Sequence, residues 1–188
     1  MNIEIFVEGK HDKEFLEQYL KFLGYSDAKI ISCGRNTIYG DIISKIKEFK
    51  DDDKKVLLIF DADSDFNTTL NRLIQESLNL LENKDIFLFP NNYDNGELET
   101  LLFKIAKEKQ ICECFKQYKK CIQKYNEKYI NNINKKSMRY AYFEALGLSL
   151  SDNSKEKEQR KEAYKEIFDL NSKYLEPFKN FLQNHFNL

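Results

Sequence analysis

Proline is scarce, with two residues in a chain of 188, and hydrophobic and charged residues make up 41% and 32%. That composition excludes disordered and fibrous classes and leaves an ordinary globular domain with room for a sizeable core. No stretch approaches the roughly 18 uninterrupted apolar residues of a membrane span. The opening residues, MNIEIFVEGKHD, lack a basic segment followed by a cleavable apolar run. No signal peptide is therefore expected, and the expected compartment is the cytoplasm. Histidine is limited to His11 and His185, and cysteine to Cys33, Cys112, Cys114 and Cys121. Cys112 and Cys114 form CxC rather than CxxC, so no four-ligand zinc spacing exists and the thiols are expected to be reduced and mostly buried. There are no internal repeats, no low-complexity linker, and no GxxxxGK[ST] loop that would point to a nucleotide cofactor.

What is present divides into two patterns. Through the first ninety residues short apolar runs alternate with helical periodicity. Ile3–Val7, AKIISCG, KVLLIF and DIFLF read as four strands. Between them Phe15, Leu16, Tyr19, Leu20 and Leu23, then Ile38, Ile42, Ile46 and Phe49, and then TTLNRLIQESLNLLE read as helices. Continuous apolar strands suit a parallel sheet covered on both faces, and right-handed crossovers give an α/β, Rossmann-like, four-stranded sheet flanked by helices. Beyond residue 96 the pattern is helical, near 97–109, 111–131, 136–147, 156–168 and 173–186. The expected organisation is an α/β core over 1–100 and a helical extension over 101–188, packed as one structural unit.

Acids gather where strands end. The first strand runs into Glu8-Gly9, with Asp12 on the following turn, and the third runs into Asp61, Asp63 and Asp65. The fourth leads through PNNYDNGELETLL to Glu97 and Glu99. In a parallel α/β sheet functional groups collect beyond the carboxyl ends of strands, so these acids point to one pocket. Carboxylates crowded together either take up protons or bind a cation, and an all-oxygen set selects a hard ion such as Mg²⁺ or Mn²⁺. Singly, Asp61 also fits a helix N-cap, Asp63 or Asp65 a favourable charge at the start of the next helix, and Asp12 the same at the first helix. An EF-hand loop is excluded because Phe66 stands where the loop needs glycine. An aspartyl-nucleophile phosphatase remains a minor alternative, with the motif on an unusual strand.

The net charge of −1 conceals a division, since Lys104 to Arg139 holds ten Lys and one Arg against three Glu. That segment carries +8 and the remainder −9, which suggests a polyanionic partner. Lys116, Lys120, Lys124 and Lys128 recur every fourth residue, while Phe115, Tyr118, Ile122, Tyr125 and Tyr129 follow helical spacing as an expected core face. The lysines read as a solvated helix face or as a phosphate track.

IEIFVEGKHDKEFLEQYL followed by LLIFDADSD resembles a Toprim domain, the catalytic fold of topoisomerases, DnaG-type primases and OLD-family nucleases. SCGRNTIYGDI is similar to the glycine-containing loop after that family's second strand, and the resemblance spans roughly residues 1–100. The elements FLFPNNYDNGELETLL, KKSMRYAYFEALG and FDLNSKYLEPFKNFL resemble the small Toprim-like proteins of the DUF3226 type. The resemblance implies Glu8 as general acid or base, Asp61 and Asp63 as Mg²⁺ ligands, and Asp65 as a less constant third acid. It implies Asp12 as a further metal-holding acid, Glu97 and Glu99 at a second ion, and a catalytic lysine at Lys135 or Lys136. Lys10 and Arg35 join Lys116, Lys120, Lys124, Lys128 and Lys135 as candidate nucleic-acid contacts. The implied activity is Mg²⁺- or Mn²⁺-dependent phosphodiester chemistry on DNA or RNA with one or two ions, most simply as a small nuclease. The alternative is a non-catalytic nucleic-acid-binding or accessory subunit, acting with a partner protein or as a homo-oligomer.

Overall fold

In a computed structural model, which describes residues 3–25, 28–130, 133, 135–149, 151 and 153–186, the four apolar runs pair as strands. They are β1 (Ile3–Val7), β2 (Ala28–Ser32), β3 (Lys55–Asp61) and β4 (Ile86–Phe89), all parallel in the order β2-β1-β3-β4. Helices α1 (Lys10–Leu23), α2 (Asp41–Asp51) and α3 (Phe66–Glu76) make the crossovers. Then follow α4 (Leu98–Ile105), α5 (Lys109–Tyr125), α6 (Glu127–Ile130), α7 (Lys135–Ala145), α8 (Ser154–Ile167) and α9 (Glu176–Phe186). The fold is the expected α/β, four-stranded parallel sheet flanked by helices. Among the described residues no helix is long and apolar enough to cross a membrane.

Strand side chains alternate between the two faces of the sheet, and each face has its own cover. On one, Phe6, Val56, Leu58, Phe60, Ile86 and Leu88 pack with Ile42, Ile46 and Phe49 of α2 and Leu73 of α3. On the other, Phe178 of α9 lies 4.6 Å from Phe87, 5.4 Å from Phe89 and 5.4 Å from Tyr19 between ring centroids. Phe15 of α1 joins that cluster, 6.0 Å from Phe89. The chain divides into two compact units, Met1–Leu101 with Leu170–Leu188 and Leu102–Asp169. The last helix therefore groups with the sheet rather than with the preceding helices, because its aromatic face completes the layer over β4.

Within the second unit, Ala106 and Phe168 form an antiparallel bridge, with Lys107 N–H donating to the Ile167 carbonyl at 2.9 Å. The Tyr142 hydroxyl donates to that carbonyl, also at 2.9 Å, and accepts from the Glu108 N–H at 3.2 Å. Two sequence expectations fail here. Asn126 takes an extended conformation, φ −165° and ψ 116°, so the helix expected over 111–131 breaks there. The expected tyrosine core face is also outside, with Tyr118, Tyr125 and Tyr129 at 50%, 81% and 48% exposure. The buried stripe of α5 runs instead through Cys112, with Ile111, Phe115 and Ile122 half-buried. The thiols divide likewise, since Cys112 is buried and Cys33 half-buried while Cys114 and Cys121 are exposed.

Candidate metal and phosphate site

The order in which strands are added reverses at β1. From β1 the chain first crosses to β2 on one side and then returns to β3 on the other. Such a switch opens a crevice beyond the carboxyl ends of the two central strands, where open α/β sheets place their ligands. The register pairs Val7 with Ile59, so Glu8 leaves β1 alongside the last residues of β3, Phe60 and Asp61. Neighbouring strands run about 4.8 Å apart, which brings the Glu8 and Asp61 backbones to one edge.

Asp61 is the most constrained acid. It is buried, and its Oδ1 accepts a 2.7 Å hydrogen bond from Leu98 N–H at the first turn of α4. Burial pushes its carboxyl well above the usual carboxylate range, reinforced by the charges of Asp12, Glu8 and Glu99 and opposed by the Leu98 N–H. The charges of three other carboxyl groups thus reach Asp61, and two of those residues, Asp12 and Glu99, are themselves buried. Asp12 is held from α1, where its Oδ2 accepts from Gly9 N–H at 3.0 Å. A Cβ on Gly9 would lie 3.1 Å from that oxygen, so the glycine lets the turn close tightly on Asp12.

Asp63 and Asp65 part company two residues on. Asp63 is half-buried in the left-handed region, φ +55°, and its N–H donates to the Gly96 carbonyl at 2.8 Å. Asp65 is exposed and caps α3, accepting from Thr68 N–H at 2.6 Å, a bond that lowers its carboxyl below the usual value. Of the downstream acids, Glu99 enters the Asp61 field while Glu97 is half-buried, its N–H donating to Thr100 Oγ1 at 3.3 Å.

The brace that aligns these groups is the segment after β4, which the sequence marks only as polar. Asn95 accepts from Phe66 N–H at 2.8 Å and donates to the Ser64 carbonyl at 2.7 Å, tying this segment to the loop that carries Asp63. Asn91 is buried and closes its own turn, donating to Asp94 at 2.8 Å. Gly96, at φ +149°, has no room for a side chain, since a Cβ would meet Thr100 Oγ1 at 2.9 Å and Pro90 Cδ at 3.1 Å. The density of Asn, Asp and Gly in PNNYDNG was the available signal for such a brace.

The loop after β2 borders the same edge, with Cys33 N–H donating to the Val7 carbonyl at 2.8 Å. Burial pushes the Cys33 thiol up to about 12. Arg35 of this loop lies 3.4 Å from Asp41 and 4.5 Å from the centre of the exposed Tyr39 ring. Lys10, the first residue of α1, is exposed. The other candidate cations belong to the second unit: Lys116, Lys120 and Lys124 exposed on α5, Lys128 on α6 and Lys136 on α7. The side chain of Lys135 lies outside the described residues.

In kind the acids that act on Asp61 fit a hard divalent cation, offering carboxylate oxygen. In spacing they stand apart: among the described residues no group of three Asp, Glu, His or Cys is gathered to hold a metal ion. A cation would offset the burial and the neighbouring charges that together raise the Asp61 carboxyl.

No curated protein and no solved structure matches the chain. The family description "Protein of unknown function (DUF3226)" matches residues 2–187, practically the whole chain, and the chain belongs to that family.

Proposed function

We propose that the chain carries out Toprim-type, Mg²⁺- or Mn²⁺-dependent phosphodiester chemistry on nucleic acid, as a small nuclease. One observation carries the reading: Asp61 is buried at the switch point of a β2-β1-β3-β4 parallel sheet, within reach of the charges of Asp12, Glu8 and Glu99. Structural acids at helix starts do not need to converge from two strands and two helices. Asp61, Asp63 and Glu8 are the residues that would hold a first ion, with Asp12, Glu97 and Glu99 available to a second. A bound Mg²⁺ supplies Lewis-acid polarisation and a template for the phosphate's non-bridging oxygens.

The chain's own groups do the rest. Glu8 takes the proton of the attacking water or returns one to the leaving oxygen. The Leu98 N–H fixes the orientation of the Asp61 carboxylate, and Gly9 keeps Asp12 in the crevice. Asp65 stays with α3, where its cap bond already occupies it.

The test is a calorimetric Mg²⁺ titration of wild type and Asp61→Asn, followed by incubation with single-stranded DNA, duplex DNA and RNA. The proposal expects metal binding and cleavage by wild type, and loss of both in a folded Asp61→Asn protein. Equal activity in the two would sink it. The open spacing of the acids favours a second reading, a nucleic-acid-binding accessory subunit that keeps the pocket without cleaving. Metal binding without cleavage of any of the three substrates would select it.

A further inference from the structure

The exposed aromatic strip on α5 has no role in the crevice chemistry. At about 100° per residue around a helix, Tyr118 and Tyr125 fall within about 20° of each other, with Cys114 and Cys121 beside them. All four are exposed, Tyr118 by 50% and Tyr125 by 81%. Gln117 comes next around the surface, and then the row of Lys116, Lys120 and Lys124, also exposed. The helix therefore presents two parallel strips, one of phenol rings and one of ammonium groups, separated by a neutral one. The acid on α5 is Glu113, an exposed partner of Lys116 at 3.3 Å. An exposed pair of this kind is screened by water and holds its lysine weakly.

We propose that α5 is a binding ribbon for single-stranded nucleic acid, with Tyr118 and Tyr125 stacking bases while Lys116, Lys120 and Lys124 hold the phosphates. Charge complementarity selects a polyanion, and the tyrosines select its strandedness. A duplex hides the faces of its bases, whereas a single strand offers them to aromatic side chains of any suitable platform. Seven residues of helix separate the tyrosines by about 10.5 Å. A second copy of the chain is disfavoured as occupant, because pairing α5 with α5 sets one lysine row against another. The inference rests on the reading that this protein acts on nucleic acid, and it adds which form of the polymer is held.

The two exposed cysteines make the ribbon directly observable. Cys114 and Cys121 lie in the tyrosine strip, while Cys112 is buried and burial holds the Cys33 thiol up at about 12. Maleimide labelling of the full chain therefore reports on the strip. With a thymidine oligonucleotide as the probe and EDTA present, labelling of Cys114 and Cys121 should slow several-fold. Fluorescence anisotropy should show affinity falling with salt at a log–log slope of about −2, as expected for three phosphates on a single strand.

Tyr118→Ala with Tyr125→Ala should weaken binding roughly tenfold or more, and the corresponding Phe pair should restore it. Lys→Gln at 116, 120 and 124 should flatten the salt slope. A uridine oligonucleotide of the same length is the second arm, and binding of either single strand through the tyrosines supports the ribbon. Equal affinity for a matched duplex, or no effect of the Tyr→Ala pair, overturns it. So does thiol protection by protein concentration alone together with a dimer in light scattering, which would give the strip to a second copy. The assay is metal-free and independent of cleavage. A wild-type chain that binds through its tyrosines yet cleaves none of the three substrates separates failure of the catalytic reading from failure of this one.

Discussion

Asp61 shows how a single carboxylate links chemistry to stability. Its folded-state pKa lies above the ordinary 3.8, so the folded protein holds a proton that the unfolded chain releases first. Its contribution is most favourable below about that ordinary value and is lost as pH rises through the raised one. At neutral pH, in the absence of metal, Asp61 therefore costs stability. Asp61→Asn removes the charge while its side-chain carbonyl can still accept from Leu98 N–H. Thermal unfolding in EDTA should show the variant more stable by about 1–2 kcal/mol at pH 7, with the gain vanishing toward pH 3. A variant less stable than wild type at pH 7 would mean that Asp61 is held by structural partners rather than against its neighbours.

Gly96 makes the complementary case, because both its φ of +149° and its contact with Thr100 exclude a side chain. Gly96→Ala should cost about 1–3 kcal/mol in urea unfolding. It should also weaken Mg²⁺ binding, since Gly96 anchors the backbone of Asp63.

At the scale of elements, much was legible. Continuous apolar runs identified all four strands, because a strand covered on both faces needs no polar alternation. The acids at strand ends were legible for the same reason: a buried run that stops at Glu8 or Asp61 must stop at the sheet's edge. The destination of α9 was not legible. Periodicity tells which face of a helix is apolar, not which surface that face meets, and the Phe178 cluster with Phe87 and Phe89 decides it. The tyrosines of α5 misled in a different way, since tyrosine sits at the surface about as readily as in a core.

His185 tests the docking of α9. Its Nε2 lies 2.7 Å from the Lys84 carbonyl, its own carbonyl accepts from Lys55 Nζ at 2.9 Å, and burial lowers its pKa from 6.5. Stability linked to a depressed histidine is present above about 6.5 and lost as pH falls through the folded value. Urea unfolding should thus weaken between pH 7 and pH 5, and His185→Gln should remove that part of the slope. An unchanged slope in the variant would place the acid sensitivity elsewhere.

Over the whole molecule, charge and chemistry are divided between the two units. The acids of the crevice all belong to Met1–Leu101, and the lysine-rich helices to Leu102–Asp169. A net charge of −1 hides this, which is why composition alone argued weakly for a nucleic-acid partner. The charges that act on Asp61 come from acids the sequence marks, Glu8, Asp12 and Glu99, whereas what holds them is not legible, because Asn95 and the Leu98 N–H act through geometry that no sequence spacing encodes. The most direct test of the central claim is anomalous diffraction from crystals soaked in Mn²⁺. The account predicts a peak about 2.0–2.3 Å from carboxylate oxygens of Asp61 and of Glu8 or Asp63. No peak in the crevice, under conditions where Mn²⁺ supports cleavage in solution, would contradict it.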